Sequence, residues 1–297
     1  MAASSALREH ILDLLWSQWH ELGISSTVPR RHEDDCIDPE PLIAFTAVHG
    51  DLDARLRDES IDWVLRYGTY VSRARLKNIL AAWGALENPR FREYAATVNA
   101  GSHAGWPAGR AKALAFRPRA RALLADLSAP ALLSLRIRAL FGVGARAELL
   151  RSLLARPREA RTAAELAIDT SYGKRNVLNE LEPLRFGGLV KSFRVANADR
   201  YQLVRIDELA ALLRPLPSQF TPWTQVYASL HLVLDLVQRG VKRSDLQNAV
   251  DALRLLEEQK TTFARADVQL PAMPRGAEAW RLFLEWATEY ARSLARP

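Results

Sequence analysis

The stretch TAAELAIDTSYGKRNVLNELEPLRFGGLVKSFRVANADRYQL, residues 162–203, decides how the chain is read. It opens on Thr162-Ala-Ala-Glu165, the pattern of a capping box. The threonine hydroxyl accepts from a backbone N–H of the first turn, and the glutamate reaches back to the cap. A short helix over 162–168 follows, with Leu166 and Ile168 apolar. Asp169-Thr170 makes a turn, and Thr170 or Ser171 is placed to cap a second helix over 171–186. In that helix Val177, Leu178, Leu181 and Leu184 recur at the helical spacing. The other face carries Tyr172, Lys174, Arg175, Asn176 and Asn179. Gly187-Gly188 leads into LVKSFRV, Asn197 and Asp199 turn the chain, and RYQLV returns. This predicts a β-hairpin over 189–204 bearing Lys191, Ser192, Arg194 and Arg200.

A helix that reads duplex DNA needs this split. One face anchors in a small core, and the other offers long donors at the end that enters the major groove. Arg reads guanine and Asn reads adenine, each through two hydrogen bonds. Lys, Ser and Thr mostly hold phosphates. Upstream, ARAELLRSLLAR (145–156) adds a helix with Leu149, Leu150, Leu153 and Leu154 on one face. The order is helix, helix, turn, helix, hairpin.

That order resembles the winged helix-turn-helix superfamily of bacterial transcription regulators, the architecture of the MarR-like and ArsR-like groups. The resemblance covers residues 145–204 of 297. It implies sequence-directed binding of double-stranded DNA, with helix 171–186 in the major groove and hairpin 189–204 as the wing. It also implies a homodimer on a palindromic site. Its DNA-binding role falls on Thr162, Ser171, Tyr172, Lys174, Arg175, Asn176, Asn179, Lys191, Ser192, Arg194 and Arg200. Pro183 departs from the pattern. It removes a backbone donor and predicts a kink or an end near Leu181.

Charge distribution points the same way. Residues 1–104 hold 11 Lys+Arg and 15 Asp+Glu, residues 105–205 hold 19 and 8, and residues 206–297 hold 11 and 11. The whole excess of +7 therefore sits in the middle third, which favours a polyanionic partner. The single cysteine, Cys36, excludes an intramolecular disulfide and fits a reducing cytoplasm. The first helix is interrupted by Arg8, Glu9, His10 and Asp13, unlike a secretory leader. No apolar run is long enough to span a membrane.

The rest reads as helical. The expected fold is mainly α: a helical N-terminal domain over 1–104, a basic linker and helix over 105–144, the winged helix-turn-helix over 145–205 with its one β-hairpin, and a helical C-terminal region over 206–297. Asp38-Pro39 predicts a helix start, Asp51 a helix cap, and Asn99–Gly109 the clearest break. The segment Arg110–Arg121, with five Lys/Arg and no acid, is expected to add phosphate contacts.

Signs of chemistry are sparse. RHEDDC (31–36) has no metal-ligand spacing and reads as a charged loop. Asp51 and Asp53 lack the upstream Gly-Ser turn of a nucleotidyltransferase, and FGVGARAE lacks the third glycine of a dinucleotide fingerprint. Glu258 and Lys260 lack a strand context for a nuclease. The tryptophans fall at helical spacing and read as packing, and His10 and His20 as interfacial or exposed. No catalytic residue, metal or cofactor is expected, and the chain reads as a DNA-binding regulator rather than an enzyme. The competing reading is a helical adaptor or antitoxin-like protein whose winged helix contacts a protein partner encoded nearby.

Overall fold

The computed structural model describes residues 2–124 and 126–296. Among them the chain forms fourteen α-helices and one small antiparallel sheet. The helices are α1 (Ala2–Glu21), α2 (Pro39–Val48), α3 (Ala54–Tyr67), α4 (Arg73–Ala82), α5 (Pro89–Gly101), α6 (Leu133–Phe141), α7 (Ala145–Ala155), α8 (Ala163–Thr170), α9 (Lys174–Phe186), α10 (Ile206–Leu213), α11 (Trp223–Gly240), α12 (Asp245–Glu258), α13 (Lys260–Arg265) and α14 (Glu278–Ala295). The strands are β1 (Arg161–Thr162), β2 (Val190–Val195) and β3 (Ala198–Leu203), in the order β1-β3-β2. Registers run from Val190↔Leu203 to Val195↔Ala198, with Thr162 opposite Arg200.

One apolar core draws on both ends of the chain. The segments expected as separate helical regions, 1–104 and 206–297, meet in it. Helix α1 packs along α14, and α11 packs on α2. Tryptophans fill the centre, where a buried indole N–H needs an acceptor. Trp19 bonds Thr46 Oγ1 at 3.0 Å and Trp63 bonds the Leu22 carbonyl at 2.7 Å. Their rings meet edge to face at 5.6 Å.

Local capping departs from expectation in two places. Asp53, not Asp51, caps α3, accepting from the N–H groups of Arg55 and Leu56. Asp51 instead pairs with Arg90 on the surface. Asp38 holds the cap position of α2, but its side chain bonds no backbone N–H there. The carboxylate is taken by Arg75. The RHEDDC loop is also not solvated throughout, since His32, Asp35 and Cys36 are buried. The loop threads between elements distant in sequence. His32 faces Ser17 and the Leu294 carbonyl, Asp35 accepts from Thr221 N–H, and Cys36 N–H donates to the Gln219 carbonyl.

A second core gathers α7, α8, α9, the hairpin and α10 around Leu149, Leu153, Leu166, Val177 and Leu181. An ion cluster lies between the two cores. Arg75 bonds both oxygens of Asp38 and one of Glu40. Arg138 bonds Glu40 and Glu148, and Arg151 bonds Glu148 and approaches Asp38 at 3.4 Å. Three arginines meet three carboxylates, all buried. Burial alone would push the Glu148 carboxyl up. Arg75, Arg138 and Arg151 outweigh it and hold that carboxyl well below the usual carboxylate range.

Candidate nucleic-acid interface

The candidate interface is built from the turn between α8 and α9 outward. The Thr162–Glu165 capping box is present and starts α8. Ser171 then adopts a left-handed conformation at φ 57° and closes α8 instead of opening the next helix. Gly173 occupies the cap position of α9, so that helix begins at Lys174, three residues later than its expected start. The reason is tertiary. The N-cap and body of α4 grip the turn with Ser72, Arg75 and Asn78, spaced to lie along one face. Ser72 meets the Tyr172 hydroxyl at 2.6 Å, Arg75 donates to the Thr170 carbonyl at 2.9 Å, and Asn78 donates to the Ser171 carbonyl at 2.9 Å. Tyr172 therefore departs from its expected role as an exposed contact: it is only 7% exposed and holds the turn to α4.

Helix α9 has two faces. Val177, Leu181 and Leu184 are buried in the second core. Lys174, Arg175, Asn176 and Asn179 are exposed on the other side, with Leu178 partly exposed beside them. The helix does not stop near Leu181 but runs through Pro183 to Phe186. Pro183 lies in the last turn with its ring in solvent, so the helix loses one bond, while Leu181 and Leu184 hold that turn down. Gly188, at φ 73°, carries the chain into β2, a conformation that favours glycine.

The hairpin exposes Lys191, Ser192 and Arg194. Lys191 Nζ lies 5.6 Å from the Phe193 ring centre, within cation–π range. Arg200 is used internally, donating to the Ala160 carbonyl at 2.8 Å and lying 3.8 Å from Glu165. Thr162 is engaged in its own cap. Two of the expected contacts thus have local work, while the α9 and β2 cations remain turned outward.

Ion pairing sorts the remaining cations. Arg146 pairs with Glu180, Arg185 with Glu182, Arg156 with Glu159 and Arg161 with Asp169. Among the described residues, Lys174, Arg175, Lys191 and Arg194 have no carboxylate within 4.0 Å, the reach of a salt bridge. The basic segment Arg110–Arg121 lies elsewhere, against α3. There Asp62 accepts from the N–H groups of residues 119, 120 and 121, and Arg119 faces Glu59.

Two hollows flank α8. One, of about 710 Å³, lies between α4, α11, α13 and the gripped turn, with Trp83, Ile168 and His231 in its wall. A larger cleft of about 1110 Å³ runs between α8, the 219–226 segment and α14. Among the described residues no group of three or more His, Cys, Asp or Glu could hold a metal ion. Among them, too, no helix is long and apolar enough to cross a membrane.

The grip of α4 is invisible to local pattern. Its partners lie about a hundred residues apart, at 95, 100 and 93 positions, and no nearby spacing records such a pairing. No family model matches the chain, and no curated protein or solved structure matches it either.

Proposed function

We propose that this chain binds double-stranded DNA in a sequence-directed way, as a cytoplasmic transcriptional regulator of winged helix-turn-helix type. Helix α9 is the reader and the β2–β3 hairpin is the wing. The observation that carries this reading is the composition of the outward face of α9. Lys174, Arg175, Asn176 and Asn179 are exposed, and among the described residues its two cations are free of carboxylate partners, on a helix whose opposite face is fixed in a core. Such a face offers Arg and Asn to base edges and Lys to phosphate. The element order, with a short strand β1 before α8 and a hairpin after α9, supports the same architecture.

The test is selection of bound sequences from random duplex DNA, followed by affinity measurements across salt concentrations. Affinity should fall steeply with salt as phosphate neutralisation releases counterions. Lys174→Ala with Arg175→Ala should weaken duplex binding strongly and reduce sequence preference, the arginine contributing about 1–3 kcal/mol of discrimination. Absence of duplex binding at low ionic strength would sink the reading.

A second reading rests on its own observation. Phe186 is 90% exposed at the end of α9, and Phe193 and Val195 are 39% and 46% exposed on the hairpin. These apolar groups suit a protein partner, as in an adaptor or an antitoxin-like protein. Co-purification of a stoichiometric protein without nucleic acid would favour it.

A further inference from the structure

The hollow of about 710 Å³ is walled by α4, the end of α8 with the turn after it, α11 and α13. Ile79, Trp83, Ile168 and Leu232 supply apolar surface. Trp83 stacks on His231 with ring centres 5.8 Å apart. Among the described residues no Asp or Glu lines the hollow, and Arg265 is its one Lys or Arg. Burial holds the His231 imidazole below its ordinary value, so it is neutral at about pH 7. Arg265 is exposed, with no carboxylate within 4.0 Å and no side-chain hydrogen bond among the described residues. The Ser171 hydroxyl and the Gln225 amide are likewise without a hydrogen-bond partner among them. Three polar groups from three elements thus border one space with apolar walls, of a size that takes a small molecule. The larger cleft shares Ile168, Gln225 and Arg265 but is also bordered by Glu159, Glu165, Asp169, Asp267 and Glu289. An anion is favoured in the first space and repelled from the second.

We propose that this hollow is a binding site for a small organic anion, a carboxylate carried on an apolar body. The carboxylate pairs with Arg265, whose planar fork matches two carboxylate oxygens. Ser171 and Gln225 supply further hydrogen bonds, and Trp83 and Ile168 offer surface to the apolar body. The site also touches the segment that sets where α9 begins. Ser171, Tyr172 and Gly173 line the hollow, and so does Asn78, which donates to the Ser171 carbonyl. A bound ligand packs against that turn and braces it. The site does not depend on what α9 contacts, so it stands or falls apart from DNA binding.

The experiment titrates the full chain with naphthoate, and with its neutral counterpart naphthamide, by calorimetry at neutral pH. Four proteins are compared: wild type, Arg265→Gln, Trp83→Ala, and Gln269→Ala, which borders the larger cleft and not the hollow. Circular dichroism melts confirm that each is folded. Wild type should bind one naphthoate per chain and naphthamide about tenfold more weakly, the effect of a hydrogen bond to a charged group. Arg265→Gln should weaken naphthoate by about the same factor and level the two ligands. Trp83→Ala should weaken both, and Gln269→Ala should match wild type. Saturation with naphthoate should slow amide exchange at residues 171–173 of wild type. The anion site is overturned if neither ligand binds at millimolar concentration, if wild type does not prefer the carboxylate, or if Arg265→Gln keeps that preference. If Trp83→Ala binds as wild type does, or Gln269→Ala is weakened as much as Arg265→Gln, the assignment to the hollow is overturned. Unchanged exchange at 171–173 overturns the link to α9.

Discussion

His32 is 1% exposed inside a stretch whose letters, RHEDDC, read as a charged loop. Its Nδ1 faces the Ser17 hydroxyl at 2.9 Å and its Nε2 faces the Leu294 carbonyl at 3.0 Å. The carbonyl can only accept, so Nε2 carries the proton and Nδ1 accepts from Ser17. Burial pushes the imidazole down to about 4, against 6.5 when free. Between those values the unfolded chain holds more protons than the folded one. The stability that His32 contributes is therefore complete above about pH 6.5 and is lost as pH falls toward 4. Urea midpoints at about pH 7 and about pH 5 should show a smaller loss on acidification for His32→Gln than for the wild type. Equal losses would assign the pH response to other groups. Nothing near His32 in the sequence announces this, because its partners lie 15 and 262 residues away. The tryptophans are easier to place: an indole at helical spacing packs inward wherever its partner comes from, as Trp19 and Trp63 do.

At the scale of elements, legibility follows the range of the forces that form them. The Thr162–Glu165 box is closed by bonds three residues apart, and it is found where the letters put it. Thr162→Ala should cost about 1 kcal/mol of stability in chemical denaturation. It should leave the affinity of the proposed duplex binding unchanged, since the hydroxyl is spent on the cap. A weaker affinity in the folded variant would instead return Thr162 to the proposed DNA-binding surface. The start of α9 is not legible in the same way. Ser171 is a better cap than glycine by local preference, yet Gly173 takes the position. Thr170 turns its hydroxyl back to the Leu166 carbonyl at 2.7 Å, and the Ser171 carbonyl is held by Asn78. Pressure from α4 outweighs the local preference. The reverse holds at Pro183, where buried leucines on either side carry the helix past a residue that normally ends one.

Across the molecule, the asymmetry of charge is visible from composition, but the sharing of one core by both ends is not. No pattern in α1 names α14 as its partner. The ion cluster between the two cores is equally hidden, since Glu40 and Arg138 stand 98 residues apart. Its six charges balance, so removing one strands its partners in a dry site. Arg75→Leu should cost about 3–5 kcal/mol. It should also free the α8–α9 turn, seen as faster amide exchange at residues 170–173 than global destabilisation alone produces. Uniform loss of protection would mean that the cluster does not position the turn. The shared core has another consequence, which concerns the order of manufacture. Domains made on the ribosome generally fold from the N-terminus onward. Here α1 is synthesised well before α14, the helix it packs along. The second core, drawn mostly from residues 133–213, is complete in the interval. During translation the basic unit can close while the helical body still waits, with α1 exposed and in need of shelter until α14 follows.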